Sequence, residues 1–191
     1  MTRGEDDPPG PVARAVRGLL LLMYHMRGWK AVGVVPEPRR FILIAAPHTS
    51  NWDFVNFLGL TADLGIRAHF MGKLSLFKWP LAGFMKQMGG VPVDQRGGGN
   101  MVRQMVDEFA RRSEFMLTVA PEGTRGKAQK WRTGFYQIAM AAKVPIVVGF
   151  MDYGKKTGGL GHMTWPTGDF RADMLKIFDV YQSCTAKHPV R

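Results

Sequence analysis

A histidine and an aspartate, His48 and Asp53, are separated by four residues in a segment that could do acid–base chemistry. The apolar run over Phe41 to Ala46 before them predicts a short buried strand. Ser50, three residues before Asp53, has the spacing of a capping box at a helix start. The turn from strand to helix would let the imidazole and the carboxylate meet. A carboxylate on one ring nitrogen fixes the tautomer and raises the basicity of the other nitrogen, which could then take a proton from a hydroxyl group.

The same two residues have a structural interpretation. Asp53 could simply cap the helix, because the helix dipole favours an acidic residue in the first turn. His48 could be a loop histidine bonded to the backbone. The pair alone leaves both interpretations open.

Charged residues, several of them cations, follow three of the other predicted strands. Lys73 comes after the second strand, Asp94 and Arg96 follow the third, and the segment Glu122–Arg125 follows the fourth. In an open α/β sheet, ligands bind at the carboxyl ends of the strands. Cations at several strand ends predict a pocket for an anion, most plausibly a phosphate. Each cation taken singly could also be a solvated surface charge.

The pattern of apolar residues predicts the elements that would position these side chains. Strands are predicted over 41–46, 67–71, 90–93, 115–120 and 145–150, and helices over 12–30, 51–64, 77–88, 101–112, 131–143 and 169–181. This alternation predicts a single-domain α/β sandwich with a largely parallel mixed sheet flanked by helices. We expect a disordered leader over 1–11, one domain over 12–183 and a tail over 184–191.

Composition and charge limit the partners. The net charge of +11, from 26 Lys and Arg against 15 Asp and Glu, favours anionic partners. The chain contains no run of about 18 apolar residues, so no transmembrane helix is expected. The predicted helix over 12–30 mixes aliphatic and basic residues. Such a helix can lie on an anionic bilayer or pack on the core, and both can hold if its two faces differ.

Several chemistries lack their sequence signals. Neither a Gly-x-Ser-x-Gly elbow nor a P-loop is present. The histidines show no metal-ligand pairing, and the single cysteine, Cys184, excludes a cysteine-based metal site. A histidine base without a serine or cysteine nucleophile beside it suggests direct transfer, in which the acceptor's own hydroxyl attacks an activated acyl group.

Four blocks in order resemble the glycerolipid acyltransferases, the superfamily of lysophosphatidate and glycerol-3-phosphate acyltransferases. His48–Asp53 is similar to their H-x4-D motif, and Gly72–Lys73 through Gly90–Arg96 resembles the second block. Pro121–Arg125 contains the E-G-T-R block, and Val144–Val147 resembles the fourth block. Spacing alone is a weak signal, whereas four ordered blocks over about residues 41 to 150 are a specific one.

The resemblance implies an acyl-CoA or acyl-carrier-protein donor as co-substrate, a lyso-lipid or glycerophosphate acceptor, and no metal or cofactor. His48 would be the base and Asp53 its orienting carboxylate. The residues that would bind or shape the acceptor are Lys73, Arg96, Glu122, Gly123, Thr124 and Arg125. We expect a cytoplasmic protein, peripheral on the inner face of an anionic membrane, with no nucleic-acid partner.

The chain also departs from the family pattern. Val148 stands where the fourth block usually has proline, and this small chain resembles small bacterial members whose acceptors are often unassigned. The resemblance therefore does not fix lysophosphatidate as the acceptor, and another lyso-lipid or a non-phosphorylated hydroxyl stays open. Two other functions stay open, namely an anionic-lipid or phosphate-binding module without turnover and an acyl thioesterase that uses water.

Overall fold

The computed structural model of the chain describes residues 10–46, 50, 52–79, 82–94, 98–122, 131–182 and 184–185. The strands are β1 (Lys30–Val32), β2 (Arg40–Ala45), β3 (Ala68–Lys73), β4 (Gly90–Val93), β5 (Phe115–Val119), β6 (Ile146–Asp152) and β7 (Thr157–Thr164). The helices are α1 (Pro11–Met26), α2 (Trp52–Asp63), α3 (Ala82–Gln87), α4 (Gly98–Arg111), α5 (Gly134–Ala142) and α6 (Phe170–Gln182), with a 3-10 turn over Leu74–Phe77.

The strands form one sheet in the order β1-β7-β6-β2-β5-β3-β4. The five strands from β6 to β4 are parallel, and β7 is antiparallel to β6. Strand β1 runs parallel to β7 and closes that edge. Strand β2 is central, with Ile42 opposite Leu117 of β5 and Ile146 of β6. The predicted largely parallel mixed sheet is confirmed.

Both faces of β2 are buried, which explains its continuous apolar sequence. On one face Ile42 and Ile44 belong to a core that α4, α5 and α6 also line. On the other face Phe41 and Leu43 pack with Ile66, beneath α2. The sheet is therefore covered by helices on both sides.

Helix α1 packs across α2 through one face. Tyr24 is fully buried, and its hydroxyl donates a hydrogen bond to Asp63 Oδ2 at 2.9 Å. Gly59 of α2 makes room for the Tyr24 ring, because a Cβ there would lie 2.1 Å from Tyr24 Cγ. The opposite face of α1 carries an exposed series, the outer stripe, consisting of Val12, Ala15, Leu19, Leu22 and Met26. Of the two arrangements left open by the sequence, one face of α1 packs on α2.

Three predictions about elements were wrong. The helix predicted to Lys30 ends at Met26, because Gly28 has a φ of 71° and Lys30 enters β1. Strands β1 and β7 were missed altogether. The helix predicted over 77–88 is replaced by the 3-10 turn and the short α3. Trp79 precedes a proline, and a residue in that position disfavours helical backbone.

Across the described ranges, none of the helices has the length and apolar character needed to cross a bilayer.

Candidate active site

The carboxyl ends of five parallel strands meet at one edge of the sheet, in the order β6, β2, β5, β3, β4. The predicted site residues follow these strands. Asp53, Lys73 and Glu122 belong to the part of the chain that the structure describes. The predicted site residues outside the described ranges are His48, Arg96, Gly123, Thr124 and Arg125.

Asp53 lies in the first turn of α2, directly beyond the central strand, and its residue surface is 2% exposed. Its Oδ2 accepts a hydrogen bond from the backbone N–H of Ser50 at 2.7 Å. Ser50 Oγ in turn accepts from the N–H of Trp52 at 3.2 Å. The reciprocal capping predicted from the sequence is therefore confirmed, with the amide of Trp52 replacing that of Asp53 as the donor. Capping occupies Oδ2, so it does not prevent Oδ1 from having another role.

Oδ1 of Asp53 accepts a hydrogen bond from the hydroxyl of Tyr153 at 2.5 Å. Tyr153 is the first residue after β6, the neighbour of β2. Asn56 Nδ2 donates to Tyr153 Oη at 3.0 Å, and Asn56 is fully buried. Burial, followed by the hydrogen bond to the Asp53 carboxylate, raises the pKa of Tyr153 well above its usual range. The phenol therefore stays neutral and remains a donor at physiological pH.

The segment directly after α1 reaches the same region through aromatic contacts. The Trp29 ring packs edge-on against Tyr153, with 4.9 Å between ring centroids. The guanidinium of Arg27 lies over the Trp52 ring, 4.4 Å from its centroid. The backbone N–H of Tyr153 also donates to the carbonyl of Thr185 at 2.9 Å. These contacts hold Tyr153, which donates to the Asp53 carboxylate, and Trp52, which precedes Asp53 in the chain.

The other described site residues lie farther along the edge. Glu122 is half-buried shortly after β5, on one side of the central strand. Lys73 is the exposed last residue of β3, and β5 lies between β3 and the central strand. The topology thus places Glu122 and Lys73 at the same edge as Asp53, with Lys73 one strand farther away.

Tyr181 of α6 bonds to the backbone of both β2 and β6 from the helical side. Its hydroxyl lies 2.9 Å from the carbonyl oxygen of Gly149 and 3.2 Å from that of Ile44. Burial raises the pKa of Tyr181, so the hydroxyl keeps the proton that it donates to these carbonyls. This contact links α6 to the two neighbouring strands β2 and β6.

An apolar pocket lies beneath α2 and includes Asp53 in its wall. Its other walls include Phe57 and Leu60 of α2, Leu64 directly after that helix, Leu43 of β2, Phe150 of β6 and Leu160 of β7. Its volume is about 40 Å³, room for a few water molecules. The pocket gives the buried carboxylate an apolar neighbourhood on one side.

Sequence reasoning missed Tyr153 and Asn56. Tyr153 is 100 positions from Asp53 and belongs to none of the four blocks. The usable signal was topological, because Tyr153 follows a strand that pairs with β2. Asn56 lies three residues after Asp53, on the same helical face, and that spacing was available from the sequence.

Comparison with known proteins gives three findings. A family model described as Acyltransferase matches residues 32–149. A lyso-ornithine lipid O-acyltransferase of Pseudomonas aeruginosa is 33% identical over 98 residues, 50% of this chain and 36% of that protein, so the match spans about a third of the relative's length. The crystal structure of the 1-acyl-sn-glycerophosphate acyltransferase PlsC from Thermotoga maritima superimposes with a TM-score of 0.61 at 18% identity, over 92% of this chain and 82% of that one. At that identity the structural likeness concerns the fold.

Proposed function

This chain belongs to the acyltransferase family, and from that premise we propose that it transfers a fatty acyl group from a thioester to a lyso-lipid. The donor is acyl-CoA or acyl-carrier protein, and the acceptor is a hydroxyl of a lyso-glycerolipid or glycerol phosphate. The names of the two relatives give a lyso-ornithine lipid and a lysophosphatidate as acceptors. A hydroxyl on a single-chain lipid is the chemistry that the two names share.

One observation carries the proposal. It is the carboxylate of Asp53, which is buried beyond the carboxyl end of the central strand and accepts a hydrogen bond from a backbone amide. Four residues separate Asp53 from His48 in the sequence. A carboxylate held in this way suits the role of orienting an imidazole and stabilising it when protonated.

The proposed reaction is a direct transfer with His48 as general base. The imidazole removes the proton of the acceptor hydroxyl while the oxygen attacks the thioester carbonyl carbon. The tetrahedral intermediate then collapses, the C–S bond breaks, and the imidazolium returns its proton to the leaving thiolate. Asp53 keeps its charge throughout. The steps consume one thioester and one alcohol and release one ester and one thiol, and they need no metal or redox cofactor.

Acceptor binding is assigned to residues at the neighbouring strand ends. Arg125, with Lys73 and Arg96, would hold an acceptor phosphate. One guanidinium group can bind two oxygens of a phosphate at once, and a lysine adds a positive charge. Glu122, Gly123 and Thr124 would shape the acceptor site. The exposed position of Lys73 at the carboxyl edge supports its part in this assignment.

The apolar pocket next to Asp53 is the proposed entry for the acyl chain. Its walls are aliphatic and aromatic, so a hydrocarbon chain would lose no hydrogen bonds on entering. At about 40 Å³ the pocket holds only the first part of a chain. A longer chain would have to move the side chains of α2 and β6 that close it.

We also propose that the protein works on the cytoplasmic face of an anionic membrane. The outer stripe of α1 repeats at alternating spacings of three and four residues, and Met26 at its end is 78% exposed. Arg14 and Arg17 are exposed on the same helix. An apolar stripe beside basic side chains matches the boundary between acyl chains and anionic headgroups.

A second exposed apolar segment follows β3 at the carboxyl edge. Trp79 is 92% exposed, Leu74 and Leu76 are also exposed, and Lys73 and Lys78 flank them. Tryptophan and lysine together are typical of membrane–water interfaces. Contact with lipid there would bring the strand ends close to a membrane-bound acceptor.

The decisive experiment measures thiol release from long-chain acyl-CoA and acyl-carrier protein. The unmodified protein, His48→Ala and Asp53→Asn are each supplied with glycerol-3-phosphate, lysophosphatidate and lyso-ornithine lipid in turn. We expect acceptor-dependent release, reduced about 10²- to 10⁴-fold in both variants because general base catalysis is lost.

Each other outcome has a defined meaning. Release that is independent of every acceptor would make the protein a thioesterase. Vesicle binding without turnover of either donor would favour a binding module. Full acceptor-dependent activity in His48→Ala would refute the proposed mechanism.

A further inference from the structure

The carboxylate of Asp53 has a neutral donor on one oxygen and a backbone amide on the other. Tyr153 Oη lies 2.5 Å from Oδ1, and the Ser50 amide lies 2.7 Å from Oδ2. These two bonds restrain the carboxylate at both of its oxygens, which fixes its plane.

The direction of the Tyr153 hydrogen bond is determined by Asn56. The Asn56 amide nitrogen can only donate, and it donates to Tyr153 Oη at 3.0 Å. The single proton of the phenol is therefore directed to Asp53. The chain of donors runs from Asn56 through Tyr153 to the carboxylate, and each bond in such a chain polarises the next.

The position of Tyr153 is fixed independently of Asp53. Its ring packs edge-on against Trp29, and its backbone N–H is bonded to the carbonyl of Thr185. Asn56 and Asp53 lie three residues apart on one face of α2. The rigid phenol thus joins the end of β6 to the helix that carries the carboxylate.

From this geometry we propose that Tyr153 is a positioning residue of the active site, acting through Asp53. The proposal rests on the proposed function, since it assigns Tyr153 a part in the same reaction. The phenol fixes the carboxylate and shares its charge without neutralising it. A lysine or arginine at this position would neutralise the carboxylate and remove the charge that stabilises the imidazolium.

Tyr153→Phe tests the proposal because it removes only the hydroxyl. We expect kcat to fall about 10- to 100-fold, the worth of one hydrogen bond to a charged group, with little change in KM for either substrate. The acidic limb of the kcat/KM profile should also move to higher pH. Without the phenol the carboxylate holds more negative charge, so the carboxylate and imidazole together bind a proton more tightly.

The chain offers a matched control. Tyr24 of α1 donates to Asp63 at the other end of α2 at 2.9 Å, so Tyr24→Phe removes the same group from a second tyrosine–aspartate hydrogen bond to that helix. We expect Tyr24→Phe to leave the acidic limb in place. Asn56→Ala, which removes the donor to Tyr153 Oη, should move the limb in the same direction as Tyr153→Phe, by a smaller amount.

The outcomes separate this inference from the proposed function. If Asp53→Asn is inactive while Tyr153→Phe and Asn56→Ala both keep the native acidic limb, Tyr153 has no positioning role and the acyltransferase proposal stands. If Tyr24→Phe moves the limb equally, the effect belongs to general destabilisation of α2 and the inference is wrong. No turnover by the unmodified protein with any donor and acceptor would overturn both proposals.

Discussion

Substituting Gly59 with alanine should detach α1 from α2. A Cβ at Gly59 would lie 2.1 to 2.4 Å from three atoms of the Tyr24 ring. Carbon atoms pack at about 3.5 to 4.0 Å, so the ring would have to move by more than an ångström. The nearest atom is Cγ, which rotation of the ring about χ2 does not move. Relief requires a change of χ1 that takes the ring out of its buried place against α2, or a shift of α1 itself.

The expected loss of stability follows from these contacts. Overpacking a well-filled core costs about 1–3 kcal/mol. A shift of α1 also breaks the hydrogen bond from Tyr24 to Asp63, worth about 1.5–3 kcal/mol for a charged acceptor. Replacing glycine with alanine inside a helix returns about 1 kcal/mol. The net change in the free energy of unfolding should be a loss of about 1.5–5 kcal/mol.

Urea denaturation of Gly59→Ala measures this change, and the chain provides two controls. Gly18 of α1 has no atom within 4 Å of its would-be Cβ, so Gly18→Ala should be neutral or stabilise the protein by up to about 1 kcal/mol. In a Tyr24→Ala background the clash is absent, and Gly59→Ala should become neutral or stabilising. Gly59→Ala at native stability, or equally destabilising with and without Tyr24, would refute the reasoning.

Two further predictions concern acid stability and lipid binding. Burial alone would raise the pKa of Asp173, but the Thr167 amide and the hydroxyls of Tyr136 and Thr167 hold it below the usual value. Its stabilising effect is thus complete above the unfolded pKa of about 4 and is lost as pH falls through the lower folded pKa. Asp173→Asn should lower the free energy of unfolding by about 2 kcal/mol at pH 7. The difference in urea midpoint between this variant and the unmodified protein should be smaller at pH 3. Leu19→Glu on the outer stripe should weaken binding to phosphatidylglycerol vesicles about 10- to 100-fold in sedimentation, whereas Leu175→Glu, at an exposed leucine of α6, should not. Equal losses in the two leucine variants would contradict the assignment of the stripe to lipid.

The sequence was informative wherever burial on both faces gave a continuous apolar run. The parallel strands β2 to β6 were predicted to within two residues at each end, because their residues pack against helices above and below the sheet. Strand β7 contains three glycines in eight residues, and its pattern resembles a loop. It is a strand because it pairs with both β1 and β6, and its glycines allow the backbone of β1 to approach closely. A Cβ at Gly159 would lie 1.8 Å from the carbonyl oxygen of Val32 in β1. Such tertiary proximity leaves no periodic signal.

The same distinction applies to the candidate site. Asp53 and its capping by Ser50 were predictable because the contact is local and follows from helix chemistry. Tyr153 was not, since its contact with Asp53 depends on β6 lying beside β2, and strand order is not encoded in spacing. The predicted roles of His48, Lys73 and Glu122 stay predictions until the variants are measured.

The pairing of β1 with β7 has a consequence for how the chain is made. Lys30 pairs with Thr157, 127 positions later. At synthesis rates of about 5–20 residues per second, β1 leaves the ribosome about 6–25 seconds before its partner strand. Helix α2 follows α1 much sooner, and the Tyr24–Gly59 contact is available as soon as both helices have emerged. That contact can hold the early segment in place while its hydrogen-bonding edge waits for β7. The fit of the Tyr24 ring against Gly59 thereby acts on assembly order as well as on the finished fold.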